Sequence, residues 1–139
     1  MPKNREIELK ATIGPGQLEK VKDLPAIKKR TVGRARSKKL VTVYFDTPDH
    51  ELRRQGLSLR VRKVGRAYVQ CVKLTHSRLG GIPVRMEWEG PVPSQDPAIS
   101  VIEDKKLRRL IRRAGAERLR PVFRTDFQRT SRTLKFDDG

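Results

Sequence analysis

Four segments of the chain place charge and hydrocarbon on alternate residues, and no other feature constrains the fold as tightly. In residues 4–13 (NREIELKATI), Glu6, Glu8, Lys10 and Thr12 share one side of an extended backbone, with Ile7, Leu9, Ala11 and Ile13 on the other. Residues 57–64 (LSLRVRKV) set Ser58, Arg60 and Arg62 against Leu57, Leu59 and Val61. Residues 67–75 (AYVQCVKLT) set Val69, Cys71, Lys73 and Thr75 against Tyr68, Gln70, Val72 and Leu74. Residues 83–90 (PVRMEWEG) set Arg85, Glu87 and Glu89 against Val84, Met86 and Trp88. A single strand of this kind turns its charged side to water. Four of them also offer four apolar sides, which an outer layer of helices can cover, so that the charged sides line a shared interior.

The connecting segments fit that plan. Gly14-Pro15-Gly16 breaks the first strand, and QLEKVKDL leaves room for a short helix before Pro25. Residues 28–39 (KKRTVGRARSKK) are basic and core-poor, which predicts a loop or mobile flap. LVTVYFD reads as a strand running into the turn Asp46-Thr47-Pro48-Asp49, whose side chains suit bonding to nearby backbone. Gly65-Arg66 reads as a hairpin tip.

At residues 98–114 the period changes. Ile99, Ile102, Leu107, Leu110, Ile111 and Ala114 recur at three and four, with Arg108, Arg109, Arg112 and Arg113 on the reverse side, predicting one amphipathic helix that ends near Gly115. Residues 122–136 read as a further strand or a pair, and Asp137-Asp138-Gly139 as a hairpin turn with no strand after it. The last strand is therefore expected to lack its partner, and the chain to associate with copies of itself through unpaired strand edges. The expected fold class is α+β: an antiparallel β-barrel with helices packed outside, incomplete in this chain, over a single domain at 1–139.

Composition bears on what such an interior holds. The 139 residues suit one domain. Thirty-three Lys plus Arg against sixteen Asp plus Glu give a net charge of +17, which points to polyanionic partners. Cys71, the one cysteine, permits no internal disulfide, and no apolar run is long enough for a membrane span, so a cytoplasmic protein without a membrane partner is expected. An interior holding Glu6, Glu8, Glu87 and Glu89 with Lys10, Arg60, Arg62, Lys73 and Arg85 is prohibitively costly if dry and unpaired. It must be wet and ligand-filled. Guanidinium and ammonium groups neutralise phosphate oxygens, and carboxylates at alternate positions, roughly 6.6 Å apart along a strand, hold hard divalent cations. A polyphosphate carrying Mg2+ satisfies both sets, and Mn2+ also fits.

Glu6-Ile7-Glu8-Leu9-Lys10 resembles the E-x-E-x-K signature of the CYTH domain, the triphosphate tunnel metalloenzyme superfamily. The resemblance continues in the expected order through YFDTPDHELRRQGLSLRVR, Lys73 in VQCVKLT, the R-x-E-x-E of Arg85 to Glu89, and FRTDFQR. It implies an eight-stranded antiparallel tunnel that hydrolyses inorganic or organic triphosphate with Mg2+ or Mn2+. By position, the resemblance makes Glu6 and Glu8 metal ligands and has Lys10 set the attacking water or the terminal phosphate. Arg60 and Arg62 would grip phosphates, and Lys73, Arg85 and Arg129 would neutralise charge toward the leaving group. Glu87 and Glu89 are additional tunnel acids. The family's later strands, which bring a further acid and a final E-x-E set, have no counterpart here, so catalysis is expected to be weak or absent and polyphosphate binding to survive.

Other readings compete. A class IV adenylyl cyclase shares the tunnel, although no base-binding residues stand out, which leaves inorganic triphosphate as the default substrate. A non-catalytic module binding nucleic acid or polyphosphate would use residues 28–39 and the arginines of 108–113. His50 and His76 have no metal-spaced partner, and Cys71, Trp88 and Phe127 read as core.

Overall fold

The computed structural model of the chain describes residues 9–79 and 82–137. Two short helices, α1 (Leu18–Lys22) and α2 (Pro25–Lys28), precede strand β1 (Thr31–Asp46) and the single-turn helix α3 (Glu51–Arg54). Strands β2 (Leu57–Val64), β3 (Ala67–Leu79) and β4 (Ile82–Val92) follow, then helix α4 (Lys105–Gly115) and strand β5 (Arg120–Leu134). The five strands form one sheet in the order β4-β3-β2-β1-β5, and β1 through β4 pair antiparallel in sequence. Among the described residues the sheet is open, with β4 and β5 at its edges.

The chain divides into two compact units, residues 1–36 with 131–139 and residues 37–130. In the first, the α2 to β1 junction is fastened by Thr31 Oγ1 donating to the Ile27 carbonyl at 2.7 Å. The Lys135 N–H donates to the Arg30 carbonyl at 2.9 Å, and the Arg30 guanidinium lies over the Phe136 ring. Residues 9–13 carry no strand, contrary to the alternation of NREIELKATI; residues 4–8 of that segment lie outside the described residues. Leu9 is 92% exposed, so the apolar side of the pattern meets no core there.

The second unit holds the core. Leu57, Leu59 and Val61 of β2, Val72 and Leu74 of β3 and Phe45 of β1 pack with Leu107, Ile111 and Ala114 of α4, so the helix covers one side of the sheet as the strand alternation predicts. Trp88 packs against the margin of this cluster. Gln70, fully buried on the same side, donates to the Ala98 carbonyl at 3.0 Å and accepts from the Ala98 N–H at 2.8 Å. That clasp supplies both backbone groups of Ala98 with partners outside a helix, and residues 99–101 form only a 3-10 turn. The expected helix at 98–114 therefore begins at Lys105, where the Asp104 carboxylate accepts from the Lys106 and Leu107 N–H groups at 2.9 and 3.0 Å. It ends at Gly115, whose φ of 109° few other residues tolerate.

The basic stretch 28–39 is not a flap. From Thr31 onward it belongs to β1, with exposed side chains on both faces. Without a buried side it has no apolar period for a sequence reading to find, and the backbone ladder alone makes it a strand. The segment expected at 122–136 is one long strand, not a pair, and that strand ends at Leu134.

Candidate functional site

The sheet side turned away from α4 collects the charged residues, and the register fixes who neighbours whom. Tyr44 of β1 pairs with Arg60 of β2, Arg60 with Cys71 of β3, and Cys71 with Glu89 of β4. One row along, Thr42 pairs with Arg62 and Arg62 with Val69; one row the other way, Ser58 pairs with Lys73 and Lys73 with Glu87. Each row places side chains about 5 Å apart across strands, close enough for several to touch one small ligand.

Arg62 is the most constrained of these cations. Its Nε donates to Thr42 Oγ1 at 2.9 Å, and its guanidinium lies 5.9 Å from the centre of the Phe127 ring. Burial first, then the Arg60 and Arg129 guanidiniums beside it, lower its pKa from the usual arginine value, while Tyr44 and Glu89 act in the opposite sense. These causes identify Arg60, Arg62 and Arg129 as one cluster whose mutual repulsion an anion would relieve.

Acids gather at the β3–β4 side. Lys73 Nζ lies 3.6 Å from Glu87 Oε1, and the Cys71 thiol donates to the same oxygen at 3.4 Å. The ligand atoms of Cys71, Glu87 and Glu89 all lie within 4.8 Å of one another. Burial pushes the Cys71 thiol up to about 11, so it remains protonated at neutral pH. The carboxylates fit a hard, oxygen-seeking cation such as Mg2+ or Mn2+; the neutral thiol does not and acts as a donor that steadies Glu87.

The remaining expected residues are distributed as follows. Arg129 lies on β5 within the cluster just described. Arg85 occupies the β4 position opposite Thr75, two residues before Glu87. Lys10 is exposed in the first unit, and Glu6 and Glu8 lie outside the described residues. Three residues of this face carried no role in the sequence reading: Thr42 and Tyr44, whose alternation with Val43 and Phe45 in LVTVYFD marks the polar side, and Phe123, which stacks on Tyr44 with ring centres 4.3 Å apart. Phe127 is not core: it is 40% exposed and lies under Arg62. Cys71 is buried as expected, yet its sulfur addresses the acid pair.

The turn that opens this face is built by its own side chains. The Asp46 carboxylate accepts from the Thr47, Leu52 and Arg53 N–H groups at 2.7, 2.9 and 3.1 Å, and Thr47 Oγ1 accepts from the Glu51 N–H at 2.9 Å. Gly56 follows with φ 73°, and a Cβ there would meet the Thr75 carbonyl oxygen at 2.6 Å, so only glycine lets β2 start this close to β3.

Comparison with known proteins gives a consistent result. The chain is 29% identical over 138 residues to an inorganic triphosphatase of Haemophilus influenzae, covering 97% of this chain and 37% of that protein. Its fold matches an adenylyl-cyclase-like protein of Hippeastrum described as having a dominant triphosphatase activity (TM-score 0.56, 17% identity). It also matches a candidate adenylate cyclase of Bacillus halodurans (TM-score 0.57, 15% identity). Each match covers 91% of this chain and 65% of the solved one. The chain thus spans under two thirds of each relative's length. With the CYTH domain profile matching residues 4–137, the strand order and the charged sheet side have their explanation: this chain belongs to the CYTH domain family.

Proposed function

We propose that the chain binds triphosphate on the charged side of its sheet and belongs to a metal-dependent phosphoric anhydride hydrolase acting on inorganic triphosphate. The single observation that carries this reading is the convergence of Arg60, Arg62 and Arg129 with Lys73, Glu87 and Glu89 on the one sheet side that α4 leaves uncovered. Three guanidinium forks, two on β2 and one on β5 across β1, suit a chain of phosphates, and they bind it in an orientation that the Thr42 and Phe127 contacts of Arg62 hold rigid. Lys73 neutralises charge that builds on the leaving phosphate, with Arg85 and Arg129 in the same role. Glu87 and Glu89 would hold the cation; the family signature that Glu6, Glu8 and Lys10 match assigns metal binding to the two acids and orientation of the attacking water to the lysine. A bound Mg2+ or Mn2+ would supply charge neutralisation of the phosphate oxygens.

The same reading takes residues 1–139 as a single CYTH-like domain and gives the protein a cytoplasmic location. No helix of the described residues is long and apolar enough to cross a membrane. A specific observation favours a second substrate, an organic triphosphate as in an adenylyl cyclase: the Tyr44–Phe123 stack, with Phe123 54% exposed, stands on the same sheet side as the arginines and offers an aromatic ring a surface.

Thermal melting of the chain with tripolyphosphate, pyrophosphate and ATP, each with and without Mg2+, tests both readings. Selective stabilisation by tripolyphosphate is expected. Equal melting temperatures with and without every phosphate would reject the site. Release of phosphate from tripolyphosphate, measured with and without EDTA, tests the hydrolase activity and its metal dependence.

A further inference from the structure

We infer that α4 is a docking surface for the backbone of double-stranded nucleic acid, separate from the triphosphate site and not dependent on it. Lys105, Arg108, Arg109, Arg112 and Arg113 recur at i, i+3, i+4, i+7 and i+8 and together line one surface groove. None of the five forms an ion pair among the described residues; Arg108 alone is engaged, through its donation to the Ile102 carbonyl at 2.8 Å. Five like charges within about 12 Å of helix repel one another, a cost that only Arg112 and Arg113 in the last turn and the Arg108 hydrogen bond offset. The helix is held on the core by the opposite stripe, where Leu107, Ile111 and Ala114 are buried.

Charge complementarity selects the occupant. A duplex carries one phosphate charge per about 1.7 Å of its axis, or about seven along the length of this stripe, so a rod of cations lies along its backbone without bending it. A single strand is the poorer fit, because residues 105–115 (KKLRRLIRRAG) contain no aromatic ring for a base to stack on. An anionic membrane is poorer still. The helix's apolar residues are spent on the core, and none remains on the basic side to enter the acyl boundary. Since α4 packs on the sheet side opposite Arg60, Arg62 and Lys73, duplex and triphosphate do not compete for the same cations.

Fluorescence anisotropy of a labelled 20-base-pair duplex of arbitrary sequence, titrated with the full chain without Mg2+ at 50 to 200 mM salt, tests the assignment. Binding should weaken about 40- to 500-fold across that range if three to five phosphates are neutralised. Arg109→Gln/Arg112→Gln/Arg113→Gln should flatten the slope of log K against log salt by about 3, each single variant by about 1, and the corresponding lysine variants should retain binding. Arg60→Gln/Arg62→Gln, and tripolyphosphate at the concentration that just saturates the sheet site with ionic strength held constant, should leave duplex binding unchanged. The inference fails if the triple glutamine variant binds as the parent does, if Arg34→Gln/Arg36→Gln removes binding in its place, if tripolyphosphate at that concentration displaces the duplex, or if the chain binds phosphatidylserine vesicles and not the duplex.

Discussion

The Arg62 guanidinium is held from three directions: by the Thr42 hydroxyl, by the Phe127 ring, and by the push of Arg60 and Arg129. A lysine there keeps the charge and loses both the Nε donor and the flat face, so Arg62→Lys should bind tripolyphosphate about ten- to a hundredfold more weakly by calorimetry, matching one charge-assisted hydrogen bond. Arg62→Gln should lose more, and unchanged affinity in the glutamine variant would remove Arg62 from the site. Cys71 gives a second residue-scale test. Its thiol pKa rises from 9.0 to about 11, so at pH 8 with EDTA present its thiolate is about a hundredfold scarcer than that of an unfolded cysteine, and iodoacetamide should label it correspondingly slowly. Folding thus favours the protonated thiol. That contribution is intact below about pH 9 and disappears as pH rises through 11, so the pH dependence of stability over this window should be shallower in Cys71→Ala.

At the scale of elements, the turn between β1 and β2 depends on one carboxylate. Asp46 serves three backbone donors, so Asp46→Ala leaves the buried Leu52 N–H and its neighbours unmet and should cost about 2–3 kcal/mol in urea unfolding. A loss below about 0.5 kcal/mol would mean that water replaces the carboxylate. This turn was legible in the sequence because its hydrogen bonds are local and Asp-Thr-Pro-Asp advertises them. The β2 to β4 strands were legible because each buries one side, which writes period two into LSLRVRKV and AYVQCVKLT. The start of β1 was not, since a strand exposed on both sides has no period. Residues 98–104 misled for the opposite reason: Ile99 and Ile102 fall at helical spacing, yet Gln70, 28 residues away, takes the Ala98 backbone, and no local signal reports that contact. Arg60, Arg62, Lys73, Glu87 and Glu89 are readable as a set from alternation, whereas hydrophobicity reads Phe127 as core and does not say that an aromatic lies beneath a guanidinium.

For the molecule as a whole, two opposed forces decide whether it stays alone. The described sheet ends in β4 and β5, whose outer backbone groups can pair with another strand, and β5 is exposed along nearly its whole length. A net charge of +17 resists that pairing, since two copies approaching edge to edge bring their cations together. Repulsion between exposed charges is screened within about 10 Å at 0.1 M salt and within about 3 Å at 1 M, while backbone pairing and apolar contact through Phe123 and Phe127 are not. Self-association should therefore increase with salt, the reverse of the duplex binding proposed for α4. Sedimentation velocity at 50 and 500 mM sodium chloride should show the weight-average coefficient rising with salt. A sharp monomer boundary at both salt concentrations would show that charge is not what keeps the strand edges apart.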